Sequence, residues 1–410
     1  MTFEELYRTM LKQAVERGSV QADDLEASAG HLDCLLHPQD HPLVWPLNPC
    51  TCPKEETHCA AACLFDAIVR RDDGTLAVDP DRCSGCGACI QACQSGNLTA
   101  SRDVLPALDA VKHAKGPVYA LIAPAFLGQF STVVTPGRLR SAFKLLGFTG
   151  MVEVALFADL LTLKEALEFD RNIHTETDFQ LTSCCCPMWI GMIRKLYHEL
   201  MPHVPGAVSP MIAAGRTVKK LHPDAVTIFV GPCIAKKAEA READLAGAVD
   251  YVLTFQEMQD IFQAADIHPE LLEESERDHS SRAGRIYART GGVSEAVRTT
   301  VARLHPERPI QVRTRQADGV PACRAMIEDI RSGQHQANFF EGMGCTGGCV
   351  GGPKVLLDRE TGRENVDRYG DEAEFSTPLD NPYVLKLLRL LGFDTVEEFL
   401  EQSDIFIRHF

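Results

Sequence analysis

The sequence predicts a mainly parallel α/β domain that follows a small α+β domain crowded with cysteine. Three observations point there. Apolar, β-rich runs at 118–123 and 226–230 alternate with helical stretches at 138–146 and 160–169, the pattern of parallel strands joined by crossover helices. Eight of the 16 cysteines fall between residues 46 and 100, a stretch with few long periodic runs. Across 410 residues, 45% hydrophobic and 24% charged side chains suffice to bury a sizeable core, which excludes a disordered or fibrous chain.

Taken in order, residues 1–45 open with an amphipathic helix on which Phe3, Leu6, Tyr7, Met10, Leu11 and Val15 share a face, followed by a His- and Pro-rich connector. Residues 46–105 form the cysteine-rich domain. Residues 115–365 carry the strand–helix alternation, with a charged surface loop expected over 270–285. Residues 366–410 read as a helical tail, its last two helices split at Gly392.

A net charge of −16 repels phosphate backbones and anionic lipid, so nucleic-acid and membrane-surface binding are disfavoured. No run approaches the roughly 18 apolar residues of a membrane helix. Residues 1–20 mix acids and bases without an apolar leader core, so a cytoplasmic location is expected. Disulfides are rare in reducing cytosol, and clustered cysteines there read first as metal ligands.

The strongest local signal is Cys83-x2-Cys86-x2-Cys89-x3-Cys93. Three thiolates at two-residue gaps wrap one corner of a 4Fe–4S cube, and the fourth points at a neighbouring cluster in two-cluster ferredoxins. Gln94 stands where proline is usual. Zinc sites also use CxxC pairs, but this spacing fits iron–sulfur better. The partner group is Cys50-x-Cys52-x6-Cys59-x3-Cys63. By the exchange rule, Cys50, Cys52 and Cys59 join Cys93 on one cluster, and Cys83, Cys86 and Cys89 join Cys63 on the other. His58, beside Cys59, reads as a solvated loop residue before it reads as a ligand.

Three further motifs lie in the larger domain. Thr182-Ser183-Cys184-Cys185-Cys186-Pro187-Met188-Trp189 sets three adjacent thiols before a helix. Gly231-Pro232-Cys233 with Lys236 follows an apolar strand, and Cys345 and Cys349 sit four apart among the glycines of 341–353. Glycines let backbone approach a bulky inorganic group and present free N–H donors. Cysteines converging from strand ends would build one buried metal site at the carboxyl edge of a sheet. Cys34 and Cys323 lie outside every motif and read as lone thiols.

In this order and spacing, the three motifs resemble the FeFe hydrogenase signatures TSCCPxW, MPCxxK and ExMxCxxGCxxGG. The triple cysteine and Gly231 resemble the group B branch. Ala123-Pro124-Ala125, Ala158-Asp159-Leu160 and Thr290-Gly291-Gly292-Val293 are supporting matches, and the resemblance spans about residues 46–360. It implies two lobes enclosing an H-cluster, which is a 4Fe–4S cube joined through a cysteine sulfur to a diiron unit with CO, cyanide and an azadithiolate bridge. Two further 4Fe–4S clusters would sit in a ferredoxin-like domain. By resemblance Cys233, Cys345 and Cys349 ligate the cube, Cys349 bridging. Anchoring the first motif on Pro187 and Trp189 makes Cys186 the fourth ligand and Cys185 the proton-relay thiol. Anchoring on Thr182 and Ser183 shifts these roles to Cys185 and Cys184. The first is preferred, because a helix starting at Pro187 should fix the ligand.

Lys236 matches the lysine that hydrogen-bonds cyanide, Met343 the methionine of the carbonyl pocket, and Pro124 and Ala125 the cofactor-lining pair. Glu165 and Glu168 match the proton-path glutamates, although the family's relay serine falls at Pro205. Ser294 and Gly231 stand where methionines are usual. The implied activity is interconversion of dihydrogen with protons and electrons. A soluble carrier such as ferredoxin would exchange the electrons, and maturation enzymes would install the diiron unit. A low-turnover hydrogen sensor and a non-catalytic iron–sulfur assembly protein are the alternatives. A short tail speaks against the sensor, and Lys236, Cys185 and the intact glycine-rich motif speak against the assembly protein.

Overall fold

The computed structural model describes residues 1–410 apart from 23–24, 51, 54–56, 72–74, 183–184 and 276–278. In chain order the strands are β1 (Val44–Pro46), β2 (Ile68–Arg70), β3 (Leu76–Val78), β4 (Leu98–Ala100), β5 (Val118–Ile122) and β6 (Gly150–Glu153). They continue with β7 (Gln180–Leu181), β8 (Val226–Gly231), β9 (Tyr251–Thr254), β10 (Thr314–Asp318) and β11 (Phe339–Met343).

Two parallel sheets carry the larger part of the chain. One runs β6-β5-β8-β9 and the other β10-β11-β7. The central strands β5 and β8 are buried along nearly their whole length. Parallel sheets are covered on both faces, which is why these strands read as unbroken apolar runs. The cysteine-rich stretch folds as two antiparallel pairs, β1 with β4 and β2 with β3, flanked by the short helices His58–Ala61 and Ala88–Ala92.

The first helix, Phe3–Arg17, opens on a capping box between Thr2 and Glu5 and ends at Gly18 in the left-handed region (φ 80°). It buries Phe3, Leu6, Tyr7, Met10 and Leu11 in the main core, each side chain contributing roughly 1.5–3 kcal/mol. Val15 is only partly buried. The expected connector contains a further helix, Ala29–Leu36.

The helix Ala155–Asn172 is buried at every position from Phe157 to Ala166. A helix buried on all sides has no polar stripe to announce its orientation. Against it packs the segment 280–288, and here the surface-loop expectation for 270–285 fails over its second half. Ser280, Ser281, Ala283, Gly284 and Arg285 are buried, although Leu271 is exposed. The cause is Asp159, whose fully buried carboxylate accepts from the N–H groups of Ser281 (2.6 Å) and Gly284 (2.8 Å), the Ser281 hydroxyl and the Asn381 amide. A buried carboxylate needs such donors, and the segment supplies them.

The helix Arg359–Asp371 runs through residue 365, and its Val366 and Tyr369 share a core with the first sheet. The tail helices Pro382–Leu390 and Val396–Glu401 separate at Gly392 (φ 87°), and Phe399, Leu400, Ile405 and Phe406 return to the same core. No helix among the described residues is long and apolar enough to cross a membrane.

Candidate active site

The carboxyl ends of β5, β7, β8 and β11 place four loops around one space between the two sheets. β8 delivers Pro232 and Cys233, β11 delivers Gly344 and Cys345, and the chain after β7 reaches Cys185 and Cys186. Ala123, Pro124 and Ala125 follow β5.

Local chemistry explains the shape of each loop. Trp189, 1% exposed, donates its indole N–H to the Thr182 carbonyl at 3.1 Å and closes the triple-cysteine turn. Its ring rests on Gly342, where an added Cβ would meet Trp189 Cε3 at 2.0 Å. Cys186 caps the helix Pro187–Leu196 with extended backbone, Pro187 taking the first helical position. The Gly344 N–H donates to Cys186 Sγ at 3.3 Å. Gly347 (φ 86°) and Gly348 (φ 85°) turn the chain between Cys345 and Cys349 through backbone space that other residues rarely occupy. Glu341, buried at β11, accepts from the Gly291 and Ser294 N–H groups at 2.8 and 2.7 Å, tying the 290–294 turn to the site. At Gly231 a Cβ would lie 2.6 Å from the Phe229 ring, so Phe229 fills the room a larger residue would take there.

Cys186, Cys233, Cys345 and Cys349 are brought together. Burial, with Cys186 adding to it, pushes the Cys233 thiol up to about 11 and the Cys349 thiol up to about 12. Burial pushes Cys345 up more strongly, with Cys233, Cys186 and Cys349 adding to it. Buried this way, Cys233, Cys345 and Cys349 stay protonated unless bound metal supplies positive charge, so a donor set of four converging cysteines suits a multi-iron cluster. Among the described residues no three His, Cys, Asp or Glu side chains are grouped to hold a single ion. The assignment therefore rests on the convergence of thiols around a shared space.

Beside the four thiols lies a cavity of about 50 Å³ lined by Pro124, Ala125, Cys185, Phe229, Cys233, Lys236, Tyr287 and Cys349. Cys185, Cys233 and Cys349 keep part of their surface exposed to it, though all lie deep in the molecule. Such a cradle has room for a compact group beside Cys349, and Cys185 faces it. Lys236 is buried, its ammonium 2.7 Å from Glu239, and the attraction of Glu239 overcomes burial to raise its pKa. Burial holds Cys185 well above the usual thiol range, and Cys186, Glu341 and Glu165 push the same way. Met343, by contrast, packs beside Cys185 and Gly348 and is not among the residues lining the cavity. Cys184 lies outside the described residues.

Glu165 and Glu168 are both buried on the helix Ala155–Asn172. Glu168 pairs with the buried Lys164 at 2.6 Å, and Lys164 also donates to the Leu400 carbonyl at 3.3 Å. Cys323 is a buried thiol that donates to the Met343 carbonyl at 3.3 Å and feels Cys186, so it backs the site without lining the cavity, whereas Cys34 is buried in the helix Ala29–Leu36. Sequence reasoning missed Glu239 and Phe229. Glu239 was legible as the i+3 neighbour of Lys236; Phe229 carries no motif signal.

In the small domain the thiols sort into two groups. Cys50, Cys52, Cys59 and Cys93 border one small cavity, with His58 at its rim. Cys63, Cys83, Cys86 and Cys89 form the other: burial raises Cys83, Cys86 and Cys89, and each also feels Cys63. The loop of the second group abuts the larger site. A Cβ on Gly85 would sit 3.1 Å from Ala235 Cα, and Ser84 Oγ lies 2.9 Å from Met188 Sδ.

Comparison with known proteins agrees with this geometry. The family of the C-terminal domain of the iron-only hydrogenase large chain matches residues 116–353, and a 4Fe-4S binding domain matches residues 76–99. Iron hydrogenase 1 of Clostridium pasteurianum is 28% identical over 275 residues, which is 57% of this chain and 48% of that protein. The NADP-reducing hydrogenase subunit HndD of Solidesulfovibrio fructosivorans is 25% identical over 365 residues, 74% of this chain and 62% of that protein. The chain thus spans about half to three-fifths of the length of these relatives. The apo FeFe-hydrogenase HydA1 of Chlamydomonas reinhardtii superposes with a TM-score of 0.64 at 21% identity, covering 75% of this chain and 98% of that one, which shows a shared fold.

Proposed function

The chain belongs to the iron-only hydrogenase family, and from that premise we propose that it interconverts dihydrogen with protons and electrons at an H-cluster. The observation that carries this reading is the convergence of Cys186, Cys233, Cys345 and Cys349 from two sheets, beside a cavity that Cys185 and Lys236 face. In this reading the four cysteines would hold the cube, and Cys349, which also lines the cavity, would be shared with the diiron unit there. When bound, the cluster supplies Lewis-acidic, redox-active iron that polarises the H–H bond.

The chain's own residues do the rest. Cys185 holds a proton at its Sγ and exchanges it with the cavity; burial keeps it a thiol, ready to donate. Lys236, fixed by Glu239, presents a positive charge for the anionic ligands of the diiron unit. Pro124, Ala125 and Phe229 keep water away from the reacting bond. Glu165, which acts electrostatically on Cys185, takes the proton onward toward Glu168. Met343 backs Cys185 from behind.

The two thiol groups of the small domain would hold 4Fe–4S clusters, which supply an electron path when bound. Cys50, Cys52, Cys59 and Cys93 would hold one. The other, on Cys63, Cys83, Cys86 and Cys89, lies against the Cys233 loop. A soluble carrier such as ferredoxin docks at the outer cluster, maturation enzymes supply the diiron unit, and the protein works in the cytoplasm. A net charge of −16 argues against nucleic acid as a partner.

Anaerobic protein reconstituted with iron, sulfide and a synthetic diiron complex is expected to evolve dihydrogen from a reduced viologen. Cluster-loaded protein that evolves none would overturn the enzyme reading. One observation favours low turnover, as in a hydrogen sensor: Glu168, at the outer end of the carboxyl line, is pinned by Lys164. A turnover number far below one per second would favour the sensor.

A further inference from the structure

The two thiol groups of the small domain meet their surroundings differently. In the second group, Cys63 Sγ accepts from the Ala67 N–H at 3.3 Å and Cys83 Sγ from the Gly85 N–H at 3.4 Å. Lys195 acts on Cys83 electrostatically, but its ammonium donates to the Asp81 and Arg82 carbonyls at 2.9 and 3.2 Å. The first group is met by a guanidinium. Arg70 ends β2, half-buried, and its Nη2 donates to the Cys52 carbonyl at 3.0 Å and to Cys50 Sγ at 3.8 Å. These partners belong to the two cysteines of the unusually short Cys50-x-Cys52 step, so one side chain holds both.

We infer that Arg70 is the positioning and tuning residue of the outer cluster: it holds Cys50 and Cys52 in place and raises the reduction potential of the cluster those cysteines hold. This rests on the reading that Cys50, Cys52, Cys59 and Cys93 carry a 4Fe–4S cluster. Reduction adds one electron, given up by the soluble carrier, and no bond is made or broken. The added negative charge spreads onto the cysteine sulfurs. A permanently charged donor on one of them stabilises the reduced state more than the oxidised one. Half-burial keeps water from screening that charge fully. A raised outer potential makes the outer cluster the better electron acceptor toward both the carrier and the inner cluster.

The test is an EPR-monitored redox titration of the full chain reconstituted with iron and sulfide alone, so that no dihydrogen chemistry intervenes. Cys93→Ala identifies the outer cluster's signal by its loss. Arg70→Met is expected to keep its iron and to move only that signal to lower potential, and Arg70→Lys, which retains the charge, to recover part of the shift. Full iron with an unchanged midpoint in Arg70→Met overturns the inference. If Arg70→Met fails to assemble the outer cluster, the positioning role is supported. Arg70→Gln, which is neutral but keeps hydrogen-bond donors, then decides the tuning role, an unmoved midpoint counting against it. A wild-type protein with no signal lost on Cys93→Ala would instead refute the outer cluster itself.

Discussion

Cys185 and Cys186 are adjacent, yet one faces the cavity and the other receives the Gly344 N–H at 3.3 Å. Three successive thiols left two anchorings open in the sequence, because nothing local says which way the turn rolls. Trp189 closing onto Thr182 and the helix starting at Pro187 favour Cys186 as ligand and Cys185 as relay. Cys185→Ala is therefore expected to keep its iron while dihydrogen turnover falls roughly 10²–10⁴-fold, the usual worth of a positioned proton donor. Cys186→Ala is expected to lose iron from the catalytic cube. Iron analysis beside a turnover assay checks both, and iron lost in Cys185→Ala but kept in Cys186→Ala would restore the other anchoring, with Cys184 as the relay. The glycines carry a separate expectation. Gly342→Ala forces a methyl into the Trp189 ring and should lower stability by about 1–3 kcal/mol, read from denaturant midpoints.

At the level of elements, periodicity marked the strands β5 and β8 and the first helix clearly, because one apolar pattern served one buried face. It failed for 280–285, where Arg282, Arg285 and two serines suggested solvent. Their reason for burial is Asp159 on another element, and a long-range carboxylate leaves no trace in local composition. Burial pushes Asp159 up to about 7 from an ordinary 3.8, although the Ser281, Gly284 and Asn381 donors oppose it. Between those values the unfolded chain has released a proton that the folded chain keeps. Asp159 therefore makes stability fall as pH rises from about 4 to about 7. Thermal midpoints across that window should show the decline, and Asp159→Asn should flatten it while lowering stability at every pH. A variant with the wild-type slope would remove Asp159 as its source. Because 280–285 leads directly into Tyr287 and Ala288 on the cavity wall, loosening this pin should also perturb the site.

Over the whole molecule, the α/β class was legible because parallel strands alternate with helices, and the cysteine spacing singled out the small domain. Pairing β7 with β11, far along the chain, was not legible, since strand order within a sheet leaves no local signal. Nor was the contact between Gly85 and Ala235 that brings the small domain's thiols against the catalytic loops. The central claim is that the cavity beside Cys349 receives a diiron unit carrying CO and cyanide. Infrared spectroscopy tests it most directly, on anaerobic protein reconstituted with iron and sulfide and then treated with a synthetic diiron complex. The account predicts metal-bound CO and cyanide stretches that survive desalting and shift under dihydrogen. Cubes that assemble with no such bands after treatment would contradict it and leave the chain a carrier of plain iron–sulfur clusters.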